Sequence, residues 1–183
     1  MSQAHFVAIG GTTRSGSSTE RALAAALGFA EARGAKITLL GAEAIALPHY
    51  APEKPDRSDE ARHLVATIRS ADAIIIGSPG YHGAISGLVK NALDYVEDMS
   101  RDDRCYLSGI PVGCLATAAG WQAAVATMTQ LRTIVHALRG WPTPIGVAIN
   151  SIPGPDGGDP VAAEAVQSQL SLMINQQFEF LRA

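Results

Sequence analysis
The stretch IIIGSPGYHGAISGLVKNALDYVED, Ile74 to Asp98, decides how this chain folds. Three successive isoleucines suit a strand covered on both faces, because a half-exposed strand alternates apolar with polar residues. Leu88, Ala92, Leu93 and Val96 then recur at helical spacing. Between the two, Gly77, Pro79, Gly80, Tyr81, His82 and Gly83 fall within seven positions. That is more backbone specialisation than a plain turn from strand to helix requires. The expectation is a strand and a helix joined by a turn that lies against a ligand.

The same alternation continues on either side. His5 to Gly10 is a short apolar run, and Leu23, Leu27 and Ala30 recur at helical spacing until Gly34 offers a stop. KITLL (36–40) reads as a second strand, followed by a proline-rich loop from Pro48 to Ser58 and a helix across Glu60 to Ser70. ADAIIIGS (71–78) is the third strand and IPVGCLAT (110–117) the fourth; Met128, Leu131, Val135 and Leu138 mark a helix; IGVAIN (145–150) is the fifth strand. After the loop SIPGPDGGDP, a last helix carries Val166, Leu170, Ile174 and Phe178. No repeat or linker interrupts the series. The pattern predicts an α/β fold over 1–183 as a single domain: a flavodoxin-like, doubly wound five-stranded parallel sheet, order 2-1-3-4-5, with helices on both faces. Ligands of such sheets sit outside the carboxyl ends of the strands.

Composition narrows the classes. The chain has 183 residues, 47% hydrophobic and 17% charged, with no run of like charges, which fits a soluble globular protein. A net charge of −3 weighs against nucleic acid as a partner. The start MSQAHFVAIGG lacks a basic segment followed by a long apolar core, and no stretch approaches the ~18 uninterrupted apolar residues of a membrane span. A cytoplasmic protein without membrane contact is expected. Cys105 and Cys114 match neither a metal knuckle nor a C-x-x-C pair, so they read as reduced thiols, with Cys114 buried and inert.

The loops after strands one, three and four are expected to line one site. The first, GGTTRSGSSTERAL (10–23), supplies hydroxyls from Thr12, Thr13, Ser15, Ser17, Ser18 and Thr19, a cation from Arg14, and the N–H groups that open the following helix. No G-x-G-x-x-G can be laid on it, and Ser17 stands where a P-loop needs its lysine, which disfavours ATP chemistry. The set suits a terminal phosphate monoester held without a metal; a helix cap with spare serines is the alternative. If a phosphate is fixed there, the turn at Pro79 to Gly83 lies where the rest of the ligand goes, with Tyr81 stacking on or walling a flat ring. The fourth-strand loop ATAAGWQAA offers small residues and Gly120 opposite, with Trp121 at the rim. Taken alone, Tyr81, His82 and Trp121 also fit simple packing.

These residues resemble the NAD(P)H-dependent FMN reductases of the flavodoxin superfamily. The family's phosphate loop, G-S-x-R-x-x-S-x-[NT], is matched by Gly11, Thr12, Arg14, Ser17 and Thr19, with threonine for the first serine. Its flavin turn, P-E-Y-N-x-S followed by P-G-x-L-K-N-A-[LI]-D, is matched by Pro79, Tyr81, Gly87, Lys90, Asn91, Ala92, Leu93 and Asp94. Gly80 and His82 replace the usual glutamate and asparagine, while Leu47 to Tyr50 resembles the family's loop after strand two.

The resemblance implies that Thr12, Arg14, Ser17 and Thr19 hold the FMN phosphate. It implies further that Pro79, Tyr81, His82 and Gly83 contact the isoalloxazine, with Thr117 and Gly120 flanking it. His82 takes the place of an asparagine that bonds the polar edge of the ring. The implied reaction passes hydride from NADPH or NADH to the flavin and on to a small-molecule acceptor, without catalytic side chains. The acceptor is free flavin, delivered to a partner monooxygenase, or a quinone, azo compound or metal oxyanion. A homodimer or homotetramer is implied, joined through the helix after the flavin turn. The rival class on this fold is a flavodoxin-type electron carrier, whose strongly charged docking face the scattered charges here do not supply.

Overall fold
The computed structural model describes residues 3–182. In chain order its elements are β1 (His5–Gly10), α1 (Ser18–Glu31), β2 (Lys36–Leu40), α2 (Ala42–Ile45), α3 (Asp59–Arg69), β3 (Ala73–Tyr81), β4 (Ala84–Ile85), α4 (Gly87–Asp94), β5 (Pro111–Ala118), α5 (Trp121–Ala137), β6 (Trp141–Pro142), β7 (Val147–Asn150) and α6 (Glu164–Phe180).

Alternation along the central strands sorts the core into two layers. Val7, Ile9, Ile74, Ile76, Val112 and Cys114 face one side, packed under α3, α4 and α5 with Leu64, Ile68, Val89 and Leu131. Phe6, Ala8, Ala73, Ile75 and Leu115 face the other, under α1 and α6 with Leu23, Leu27, Leu170 and Ile174. Each buried leucine or isoleucine contributes roughly 1.5–3 kcal/mol relative to exposure. That explains why the strands read as unbroken apolar runs: both faces are covered. Ser17 caps α1 by accepting from the Glu20 amide at 3.3 Å, and the Gly34 amide closes its end on Glu31 O at 2.8 Å.

The sheet is a doubly wound parallel one with helices on both faces, but its strand count and order correct the expected 2-1-3-4-5. Seven strands follow the path β2-β1-β3-β5-β6, with β4 antiparallel on β3 and β7 also on β5. The expected fifth strand, 145–150, begins only at Val147, and a further short strand precedes it. Trp141–Pro142 pairs with Pro111–Val112, and Val147–Asn150 pairs with Leu115–Ala118. Pro144 has no N–H to continue the ladder, and the Ile145 amide turns away to Gln176 Oε1 at 2.9 Å. Arg132 closes the gap by donating to the carbonyls of Thr143 (3.0 Å) and Pro144 (2.8 Å).

A second correction concerns the stretch at Gly77 to Gly83. Its first part is strand, not turn. β1 stops pairing with β3 at Gly10–Gly77, while β5 continues alongside through Ser78–Ala116 and Pro79–Thr117. β1 has ended before Pro79, so the missing N–H of Pro79 interrupts no ladder with β1. The turn shrinks to His82 and Gly83, at φ 52° and 82°, a two-residue hairpin into β4.

In the helix after this hairpin, Ala92 and Leu93, with Val96 just beyond it, are buried in the chain's own core, and Leu88 is partly exposed. α4 packs against α2. Among the described residues, no helix is long and apolar enough to cross a membrane.

Candidate functional site
β1 ends beside Gly77 of β3, and the loop that leaves β1 and the last residues of β3 frame a cavity of about 260 Å³. Gly10 sits at the fork with φ 144°, and a Cβ there would overlap the Gly77 carbonyl oxygen. The cavity receives residues from four strand ends: Thr12, Arg14 and Ser17 to Thr19 after β1, Pro79 to Tyr81 on β3, Thr117 to Ala119 on and after β5, and Ser151 after β7.

The β1 loop is shaped from within. The Thr12 hydroxyl accepts from the Arg14 amide and donates to Arg14 O, both at 3.1 Å, which folds the chain back on itself. Glu20 Oε2 accepts from the Gly16 amide at 2.7 Å, and Arg21 donates to Gly16 O at 2.7 Å. The amides of Ser15, Ser17, Ser18 and Thr19 donate to nothing among the described residues. The last three open α1, where the helix dipole adds positive potential. Arg14 is exposed and its guanidinium has no acceptor among the described residues.

Beneath this loop, the Thr19 and Thr117 hydroxyls are 2.6 Å apart and both buried. One donates to the other, which leaves the second hydrogen free for a ligand. Pro79 is buried at the wall, and Tyr81 stands at the mouth, 53% exposed. The cavity lining holds one cation and no carboxylate. A neighbouring cavity of about 370 Å³, on the far side of the loop, presents Glu20 and Glu43 without a cation, which repels an anion.

Of the residues expected at the site, the fold brings Thr12, Arg14, Ser17, Thr19, Pro79, Tyr81 and Thr117 to one cavity. His82 and Gly83 are exposed at the hairpin tip, and Gly120 heads α5; these three do not line it. Trp121, 61% exposed, also stands outside. Sequence reasoning missed Ser151 as a lining residue. Ser151 arrives because its amide donates to Ala118 O at 2.8 Å at the end of β7. Its one sequence signal was its place directly after a strand.

Two further features bear on the site's rigidity. Asn91 accepts from the Tyr50 amide at 2.8 Å and donates to Leu47 O and Pro48 O, so two motif stretches distant in sequence bind each other. Arg57 grips Asp98 through two bonds of 2.8 Å, which hold the carboxyl below its ordinary range, and lies 4.6 Å from the Tyr50 ring centroid. On β5, burial pushes the Cys114 thiol up to about 12, so it stays protonated and unreactive.

The comparisons with known proteins agree with this geometry. The FMN-dependent NADPH-azoreductase of Staphylococcus saprophyticus is 32% identical over 122 residues, covering 65% of this chain and 61% of that protein. The azoreductase of the same description from Staphylococcus haemolyticus is 33% identical over 81 residues, covering 44% of this chain and 39% of its own. The chain thus aligns with about three fifths or less of the length of these curated relatives. Among solved structures, the flavoenzyme NAD(P)H:(acceptor) oxidoreductase FerB from Paracoccus denitrificans superposes with a TM-score of 0.76 at 20% identity, covering 98% of this chain and 97% of that one. The apo form of the NADH:FMN oxidoreductase EMOB gives 0.71 at 21%, covering 98% and 89%. These two likenesses establish the flavodoxin-like fold. The profile of the NADPH-dependent FMN reductases spans residues 4–154, from the first strand through the loop after β7 and so across every segment that lines the cavity, and the chain belongs to that family.

Proposed function
We propose that the chain is an NAD(P)H-dependent FMN reductase, acting as one flavodoxin-like FMN-binding domain over residues 1–183. One observation carries the reading: Arg14 and the residues Ser17 to Thr19, whose amides donate to nothing among the described residues, line a cavity free of carboxylates. Such a set fits a phosphate monoester.

Arg14 and the hydroxyls of Ser17 and Ser18 hold the phosphate together with those amides, while Thr12 keeps the loop in shape. Pro79, Tyr81 and the Thr19–Thr117 pair wall the ring, with the free hydroxyl hydrogen of the pair directed to a ring acceptor. His82, Gly83 and Gly120 contribute at the rim, where the exposed imidazole meets the polar edge. FMN, when bound, supplies two-electron chemistry between a reduced nicotinamide and a small electron acceptor. The half-exposed Tyr81 leaves the mouth open for two substrates in turn.

The names of the staphylococcal relatives favour an azo compound as acceptor. Free flavin passed to a partner monooxygenase, a quinone and a metal oxyanion are the alternatives. The reading places the protein in the cytoplasm as a homodimer or homotetramer.

The test is a titration with FMN followed by NADPH or NADH under anaerobic conditions. Bound flavin absorbance bleaches within the mixing time of a turnover assay, and rates against an azo acceptor give parallel double-reciprocal lines. Bleaching only by a separate reductase protein would identify an electron carrier instead.

A further inference from the structure
We propose that Gln130 is a positioning residue, fixing the β3–β4 hairpin and with it Tyr81 against the cavity; the inference rests on the FMN reading above. Gln130 lies on α5, far from the hairpin in sequence. Its Nε2 donates to Gly83 O at 2.6 Å, and its Oε1 accepts from the Ile85 amide at 3.3 Å. The two bonds straddle the return of the hairpin, since Gly83 ends the turn and Ile85 pairs with Gly80. A carboxamide is suited to this, because one planar end both donates and accepts.

The hairpin needs an outside support. It has two ladder pairs, Gly80–Ile85 and Tyr81–Ala84, and an isolated ribbon that short does not hold itself. Its turn carries His82 at φ 52°, an uncommon conformation for a residue with a side chain. Gly80 packs flush on α5, where a Cβ would come within 2.5 Å of Thr127 Oγ1 and 3.2 Å of Ala123 O. Ala123, Thr127 and Gln130 share one face of α5. Thr127 Oγ1, however, is buried without a partner among the described residues, so this contact packs but does not bond. Gln130 is therefore the polar tie between helix and hairpin. Tyr81 is half-exposed, so the backbone beneath it decides where its ring stands.

The experiment compares the full chain with Gln130→Met, which keeps the length and loses both bonds, and Gln130→Glu, which keeps only the acceptor. Amide hydrogen exchange is followed in the apo protein across residues 80–86, and FMN affinity is measured by fluorescence titration. Both are repeated in a Tyr81→Ala background. The expected result is faster exchange at Ile85 in Gln130→Met, FMN binding weaker by about three- to tenfold, and no further loss when Gln130→Met is added to Tyr81→Ala. Gln130→Glu should lose affinity while keeping the Ile85 amide nearer the parent rate. Unchanged exchange with unchanged affinity overturns the proposal. So does a full, additive loss in the Tyr81→Ala background, because Gln130 then acts independently of Tyr81. A parent chain that binds no FMN removes the functional reading instead, and the exchange rates still decide whether Gln130 ties the hairpin.

Discussion
The loop after β1 and the hairpin after β3 border the same cavity and use their backbones in opposite ways. In the loop, side chains shape the turn and several amides are left without acceptors. In the hairpin, the Ile85 amide and the Gly83 carbonyl are taken by Gln130, and the Ser86 amide is taken by Ser78 Oγ at 2.9 Å. Free donors recognise charge; a ribbon whose return is tied by side chains presents shape. On the FMN reading, the loop end of the site is an electrostatic device and the hairpin end a steric one held from α5.

The most severe way to break this comparison is at the fork where both regions originate. Gly10→Ala, with φ 144° and a Cβ driven into the Gly77 carbonyl, should lower stability by more than about 3 kcal/mol, read as a fall in the denaturation midpoint. Both regions should fail together. Next comes Arg14→Ala, which removes charge-assisted bonds worth about 1.5–3 kcal/mol and should weaken FMN binding roughly ten- to a hundredfold without changing the melting temperature. Riboflavin, which lacks the phosphate, should bind parent and variant alike. Equal losses for both ligands would take Arg14 out of the phosphate role.

Tyr81→Ala should act the other way round. Loss of ring contact should weaken FMN and riboflavin by the same factor, about two- to tenfold, so the ratio of their affinities stays fixed. A changed ratio would show that the two ends of the site are not separate. The smallest effect is expected at Thr127→Val, which deletes a buried hydroxyl without a partner and leaves the shape against Gly80 intact. A gain of about 0.5–1 kcal/mol in thermal or chemical unfolding is expected, with FMN affinity unchanged. A loss of stability would mean that the hydroxyl does find a partner.

The two regions also differ in how far the sequence disclosed them. Thr12, Arg14, Ser17 and Thr19 were readable as residues of one cavity because they fall within one short segment at a helix start. β1 was read to its ends, His5 and Gly10, because burial on both faces leaves one unbroken apolar run. The extent of β3 was not readable. Pro79 and Gly80 look like turn residues, and their tolerance in a strand depends on β1 ending at Gly10 and on α5 lying flush against Gly80. Gly80, where the family resemblance led one to expect glutamate, is explained by that contact: no side chain fits between strand and helix. Gln130 and Ser151 were missed for a related reason, since each reaches its place through a pairing of distant segments. The apolar face of α4 was legible as a face, but that Ala92 and Leu93 are buried in the chain's own core depends on segments distant in sequence.

The break between β6 and β7 has a consequence for the folded protein in concentrated solution. A sheet edge invites growth by pairing with another chain's edge when it offers a continuous row of free backbone groups. Here the row is cut into pieces of two and four residues, prolines at 142 and 144 remove two donors, and Arg132 covers the carbonyls of Thr143 and Pro144. An approaching strand finds no register to extend, so the same irregularity that spoils the simple five-strand order protects this side of the molecule from edge-to-edge aggregation.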